Sequence, residues 1–108
     1  MEEGGKQFRN EYDRFLLKFL VKNYYVSRVE LSKAIGLSPS YVREFDNGTR
    51  SFGNEALDRL EEMITAKYEL VLSKHEYALE QARATILSIR TDEELQNFRN
   101  RIDEMLEL

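Results

Sequence analysis

Between Ser27 and Gly48 the chain spells out two short helices and the turn that joins them. Ser27-Arg28-Val29-Glu30 is a capping box: the serine accepts from an orphan amide of the first turn, and the glutamate reaches back toward the cap. Leu31, Ala34 and Ile35 share an inward face, and Gly36 ends the helix because it takes positive φ without a Cβ clash. Ser38 is a second N-cap, followed by Pro39 at the first helical position, where a missing N–H costs nothing. Val42 and Phe45 point inward, and Asn47-Gly48 stops this second helix. Arg50-Ser51-Phe52-Gly53 reads as a connecting loop, with Asn54 as the cap of the next helix.

Elsewhere the chain is helical in pattern. Pro39 is its one proline, no segment alternates with period two, and no internal repeat is present, so the fold is expected to be all-α. Phe8, Tyr12, Phe15, Leu16, Phe19 and Leu20 make one apolar stripe, which places a first helix at about Asn10–Asn23. Leu57, Leu60, Ile64, Tyr68, Val71, His75, Ala78, Ala82 and Ile89 recur at helical spacings. They predict a long helix that runs unbroken to about Arg90 or breaks near Thr65. Thr91-Asp92-Glu93-Glu94 is another capping box, opening a last helix that carries Leu95, Phe98, Ile102, Met105 and Leu106.

Bulk properties restrict the function. With 108 residues there is room for one domain and an extension. The absence of cysteine and the single histidine exclude disulfides and a thiolate metal site, and fit a cytoplasmic protein. No apolar run approaches the roughly 18–20 residues of a membrane span, and Met1-Glu2-Glu3-Gly4-Gly5 does not resemble a secretory signal. No nucleophile–base pair, glycine-rich phosphate loop or metal-ligand spacing is found. No catalytic or metal residue is therefore assigned, no cofactor is expected, and the chain is not expected to be an enzyme. The net charge of −4 is unevenly spread. Residues 1–50 carry nine Lys/Arg against seven Asp/Glu, whereas residues 51–108 carry seven against thirteen. A mildly basic head can still meet DNA if its cations share one face.

The segment 27–50, Ser-Arg-Val-Glu-Leu-Ser-Lys-Ala-Ile-Gly-Leu-Ser-Pro-Ser-Tyr-Val-Arg-Glu-Phe-Asp-Asn-Gly-Thr-Arg, resembles the phage-repressor/Cro-like helix-turn-helix family, also called the xenobiotic-response-element family. The resemblance extends in outline over residues 12–64 and does not cover 65–108. Arg28 stands where the family usually has glutamine, Ser32 where it has alanine, and Asp46-Asn47-Gly48 where it has Glu-x-Gly. The resemblance implies that the second helix of the pair enters a major groove. Pro39, Ser40, Arg43 and Glu44 would then face base edges, Arg43 foremost because arginine is bidentate to guanine; Glu44 would accept from cytosine or orient Arg43. Arg28, Lys33, Ser38, Tyr41, Asn47, Thr49 and Arg50 would meet phosphates.

The expected organisation is a flexible tail over 1–9, a helix-turn-helix domain of four or five helices over 10–64, and a C-terminal helical hairpin over 65–108. Two amphipathic helices alone bury little, so the hairpin is expected to pack on the head, a second copy or a partner. Dimerisation is the simplest of these. It assigns Val71, Leu72, His75, Ala78, Leu79, Ala82, Ile86, Ile89, Leu95, Phe98 and Ile102 to a homodimer interface. The preferred expectation is a dimeric repressor of phage, plasmid or bacterial origin that occupies an operator in double-stranded DNA. The acidic C-terminal helices would be open to a protein antagonist or co-regulator. The alternative is a protein-binding antirepressor, inhibitor or antitoxin-type factor that uses those helices as its interface.

Overall fold

The computed structural model describes residues 5–106, which are helical with no strand: α1 (Lys6–Tyr24), α2 (Arg28–Ile35), α3 (Pro39–Asp46), α4 (Asn54–Ser73), α5 (Glu76–Leu87) and α6 (Asp92–Met105). The all-α expectation therefore holds for these residues. Among them, no helix is long and apolar enough to cross a membrane. Of the stretch expected as a flexible tail, residues 1–4 lie outside the described residues, while Lys6–Arg9 belong to α1. The helix starts a turn earlier than its expected Asn10 because Phe8 is buried and stacks on Tyr12, with ring centroids 5.9 Å apart. It ends at Tyr25, whose φ of 56° lets its N–H reach the Leu20 carbonyl.

Local signals act largely as read. The Ser27 hydroxyl accepts from Glu30 N–H at 3.3 Å, and Ser38 accepts from Tyr41 N–H at 3.2 Å. At Thr91 the hydroxyl accepts from Glu94 N–H, and the Glu94 carboxylate returns to Arg90 N–H. Gly36 has φ 75° and Gly48 φ 88°, the left-handed region that spares glycine a Cβ penalty. Two local expectations are corrected. Ala34 is exposed, so the inward face of α2 is Leu31, Ser32 and Ile35. The N-cap of α4 is Gly53, and Asn54 is its first helical residue, held at its side chain by Arg9.

α1 is the axis of the molecule. Phe15, Leu17, Phe19 and Leu20 are almost completely covered, with α3 and α4 packed on one side and α5 on the other. The long helix breaks at Lys74-His75, between the two alternatives expected for it. No glycine or proline marks the place. His75 is held there by Tyr24, whose hydroxyl lies 2.6 Å from its Nε2, and by the edge of Phe19, with centroids 5.2 Å apart. The turn swings α5 back so that Leu79, Ala82 and Ile86 are buried in the same core as α1. α6 then folds against α5, and Phe98 meets Phe15 at 6.3 Å between ring centroids.

This packing revises the expected division of the chain. A boundary after residue 64 falls inside α4. Leu79, Ala82, Ile86, Ile89, Phe98 and Ile102, assigned above to a dimer interface, are buried within the single chain. Val71, Leu72 and Leu95 are half-buried against the same core, and His75, at the α4–α5 corner, and Ala78 of α5 are half-buried too. An apolar stripe records that a face is covered, not which chain covers it. The radius of gyration, 13.1 Å, is that of one folded unit of this length.

Four polar residues of α1, Asn10, Glu11, Asp13 and Arg14, are buried too. Asp13 is the costliest. Burial, and then the nearby Glu61 carboxylate, push its carboxyl up to about 9. Glu61 also feels burial, but its bonds to Asp13 and Arg9 prevail and hold it below the usual carboxylate range. The proton of the pair therefore sits on Asp13, the more buried member. From about pH 4, where an unfolded aspartate ionises, to about pH 9, the folded chain holds a proton that the unfolded chain lacks, so this group lowers stability as pH rises. Asp13→Asn mimics the protonated acid. In urea unfolding it is expected to be more stable than the parent by about 1–3 kcal/mol near pH 8, with the advantage vanishing toward about pH 4. A pH-independent difference would contradict the assignment.

Candidate nucleic-acid interface

α2 and α3 meet through Leu31, Ser32, Ile35, Val42 and Phe45, all buried. Ser32 is small enough for close packing, and its hydroxyl is spent on the Val29 carbonyl at 2.7 Å. Three residues, Gly36-Leu37-Ser38, make the turn, with Leu37 N–H bonded to the Ser32 carbonyl at 3.0 Å. Arg59 of α4 reaches the Ile35 carbonyl at 3.2 Å and would crowd any Cβ at Gly36. The turn is thus held from its own backbone and from α4.

The C-terminal end of α3 is fixed from below. Arg14, buried in α1, donates from Nε to the Phe45 carbonyl at 2.5 Å and from Nη2 to the Arg50 carbonyl at 3.1 Å. Its guanidinium lies 4.8 Å from the Phe45 ring centroid. Phe45 stacks on Phe52 at 3.9 Å, Phe52 on Tyr41 at 5.6 Å, and Tyr41 lies under the Arg50 guanidinium at 4.4 Å. These planar groups close the loop after α3 back onto α3. Asn10 completes the clamp by accepting from Phe52 N–H at 2.6 Å and donating to its carbonyl at 3.1 Å. None of Asn10, Arg14 and Phe52 stood out in the sequence as a positioning residue. Only the coincidence of a polar residue with an otherwise buried helix could have marked the first two.

With its C-terminal end held, α3 presents its N-terminal face outward. Ser38, Pro39, Ser40 and Arg43 are exposed, and among the described residues Arg43 has no ion-pair partner. Lys33 is exposed beside them, likewise without an ion pair among the described residues. Glu44 does not orient Arg43. It bonds Arg50 Nε at 2.6 Å, a contact that, with Tyr41, raises the guanidinium above its usual value. The groups assigned to phosphates divide accordingly. Arg28 is committed to buried Asp46, with Nη2 at 2.6 Å and Nε at 2.7 Å from Oδ2, while Lys18 approaches the other oxygen at 3.3 Å. Ser38 Oγ is occupied by its cap, and Tyr41 by its ring stacking. Asn47 and Thr49 are bonded to each other, Thr49 Oγ1 donating to Asn47 Oδ1 at 2.7 Å.

The face therefore carries two ion-pair-free cations, Arg43 and Lys33, and two cations, Arg28 and Arg50, already paired within the fold. So few free cations leave this face little field for coating a polyanion without regard to sequence. Among the described residues, no group of three or more His, Cys, Asp or Glu is placed to hold a metal ion. No protein family, curated protein or solved structure matches the chain in comparison.

Removing the Asn10 clamp tests how far the face depends on α1. Asn10→Ala leaves a buried N–H and C=O of Phe52 without partners and is expected to cost about 2–4 kcal/mol in denaturant unfolding. A loss no larger than that of a surface substitution would show that the loop is held by the ring stack alone.

Proposed function

We propose that α2, its three-residue turn and α3 are a helix-turn-helix, and that the chain is a sequence-specific DNA-binding regulator of the phage-repressor/Cro-like kind. The observation that supports this reading best is the polarity of α3. Val42 and Phe45 anchor it in the core, while Pro39, Ser40 and Arg43 stand exposed at its N-terminal end. That is the disposition a helix needs to lie in a major groove with its first turns on base edges. Arg43 reads a base, and Lys33 contacts a phosphate. Arg28 and Arg50 join only where a phosphate competes with Asp46 and Glu44 for them.

In this reading the chain acts by occupancy as a repressor of phage, plasmid or bacterial origin, with the helix-turn-helix continued by the α5–α6 hairpin. A single such unit covers too few base pairs for operator specificity, so it binds as a homodimer on two half-sites. The apolar side chains left for that contact include Leu70, 80% exposed, and Tyr77, 79% exposed, on either side of the α4–α5 corner. One observation favours a second reading, a protein-binding antirepressor, inhibitor or antitoxin-type factor: the acidic C-terminal half and the overall charge of −4 leave little field for DNA.

Selection from a random duplex pool at two salt concentrations separates the two. The DNA reading predicts enrichment of a two-fold-symmetric motif with affinity falling steeply in salt. No enrichment from a chain that still self-associates would favour the protein-binding reading. Within the selected motif, Arg43→Ala is expected to relax preference at one base position per half-site at a cost of about 1–3 kcal/mol. Lys33→Ala is expected to weaken all sequences alike and to lower the salt slope by about one per subunit. Equal losses on selected and random DNA for Arg43→Ala would overturn its assignment to a base.

A further inference from the structure

Arg50 is an exposed arginine whose position is fixed at several points. Its backbone N–H donates to the Glu44 carbonyl at 3.2 Å, and its own carbonyl accepts from the buried Arg14 at 3.1 Å. Its guanidinium lies over the Tyr41 ring at 4.4 Å, and Tyr41 is stacked in turn on buried Phe52. Its Nε donates to Glu44 Oε2 at 2.6 Å. The main chain, the plane of the side chain and one of its donors are thus held by separate groups. A surface arginine ordinarily keeps much of its rotamer freedom, which a ligand would have to remove on binding.

These contacts leave a pair of donors unused. Nη1 and Nη2 make no hydrogen bond among the described residues, and the side chain is 46% exposed. With Nε taken, the two Nη groups form the edge of the fork that meets two oxygens of one oxyanion side by side. Arg28 is different: both its Nε and its Nη2 are spent on Asp46 Oδ2. Glu44 therefore takes charge from Arg50 but leaves its bidentate edge open, so a phosphate meets the guanidinium without evicting the carboxylate. Arg50 also lies four residues beyond the end of α3, in the loop that the ring stack closes onto that helix. A phosphate held there would set the register of α3 on a duplex without reading sequence.

We propose that Glu44 is a positioning residue: it holds Arg50 by Nε so that Nη1 and Nη2 together bind one phosphodiester group of the DNA backbone, and it contacts no base itself. This inference rests on the DNA-binding reading of α3. It carries a sign opposite to simple electrostatics. Removing an acid from a surface that faces a polyanion ordinarily strengthens binding, because local negative charge falls. Removing Glu44 weakens binding, because Arg50 loses its orientation.

The test is a titration of the full chain with a labelled short duplex at several salt concentrations, followed by fluorescence anisotropy. Glu44→Ala is expected to bind about fivefold more weakly on every sequence, most of the roughly eightfold that one phosphate contact contributes at about 0.1 M salt. Glu44→Gln keeps an oxygen that accepts from Nε and is expected to stay within about twofold of the parent. In an Arg50→Ala background, Glu44→Ala is expected to cost nothing further. Glu62→Ala, which removes an exposed acid of α4, controls for net charge and is expected to leave binding unchanged or slightly tighter. In the free chain, the Arg50 Nε–Hε resonance is expected to be resolved for the parent and Glu44→Gln and lost to solvent exchange in Glu44→Ala, a readout that uses no DNA. Glu44→Ala binding as tightly as the parent, Glu44→Gln binding as weakly as Glu44→Ala, or an undiminished loss in the Arg50→Ala background would each overturn this inference alone. Saturable shifts at Arg50 with submillimolar inorganic phosphate would assign the open edge to the free anion, and would overturn it too. A parent chain that binds no duplex would overturn the DNA-binding reading and this inference with it.

Discussion

Arg14 is the interaction on which the rest of the architecture depends. A guanidinium sealed inside a domain is tolerable only if its donors are met; burial, with the nearby Arg99 charge, pulls this one below its usual value against the opposing pull of Glu11. Its donors are met by groups from three places: Glu11 of its own helix at 2.7 Å, the Phe45 carbonyl at the end of α3, and the Arg50 carbonyl in the loop beyond. One side chain thereby adds a second donor to the Phe45 carbonyl, which also accepts from Gly48 N–H at 3.2 Å, and fixes the direction in which α3 leaves the core. The charge is balanced by Glu11, and Glu11 is in turn shared with Arg99 of α6. The Arg99 guanidinium lies close enough to Gly48 that a Cβ there would meet it at 3.2 Å. The last helix is thus tied to the turn after α3 through two side chains.

That connection explains why α5 and α6 are not an appendage. α1 serves two layers at once, α2–α4 on one side and α5–α6 on the other, so the C-terminal helices brace the helix that aims α3. A face held this way loses little freedom when it meets a partner, which favours specific recognition over nonspecific adhesion. The modest number of unpaired cations on the face points the same way, since little affinity is available from charge alone.

The elements that were legible in the sequence are those governed by local rules. Ser27, Gly36, Ser38, Pro39 and Thr91 each solve a backbone problem within four residues of themselves, although among the described residues Glu30 makes no return bond to Ser27 and Glu94 returns to Arg90 N–H, one residue before the cap. What was illegible is set by contacts distant along the chain. Asn10, Glu11, Asp13 and Arg14 read as the wet side of an amphipathic helix, because a 3.6-residue period assigns polar residues to solvent. They are buried because α1 is covered all round. The break at His75 has no local cause; Tyr24 and Phe19, about fifty residues earlier, hold it. Leu79, Ala82, Ile86 and Phe98 read correctly as a covered face, but the sequence could not tell a neighbour in the same chain from one in a second. In the candidate interface, the outward face of Pro39, Ser40 and Arg43 was implied by the family resemblance, whereas the engagement of Arg28 by Asp46 and of Glu44 by Arg50 depended on how far long side chains reach.

The central claim is that the exposed N-terminal face of α3 is where this chain meets double-stranded DNA. Its most direct test is an amide chemical-shift map of the full chain titrated with a short mixed-sequence duplex at low salt, where even nonspecific contact is populated. The account predicts perturbations concentrated on the α2 N-terminus, Lys33, residues 38–44 and the loop from Asn47 to Ser51, reversed by added salt. Perturbations centred on α5 and α6, or none at any salt concentration, would contradict it.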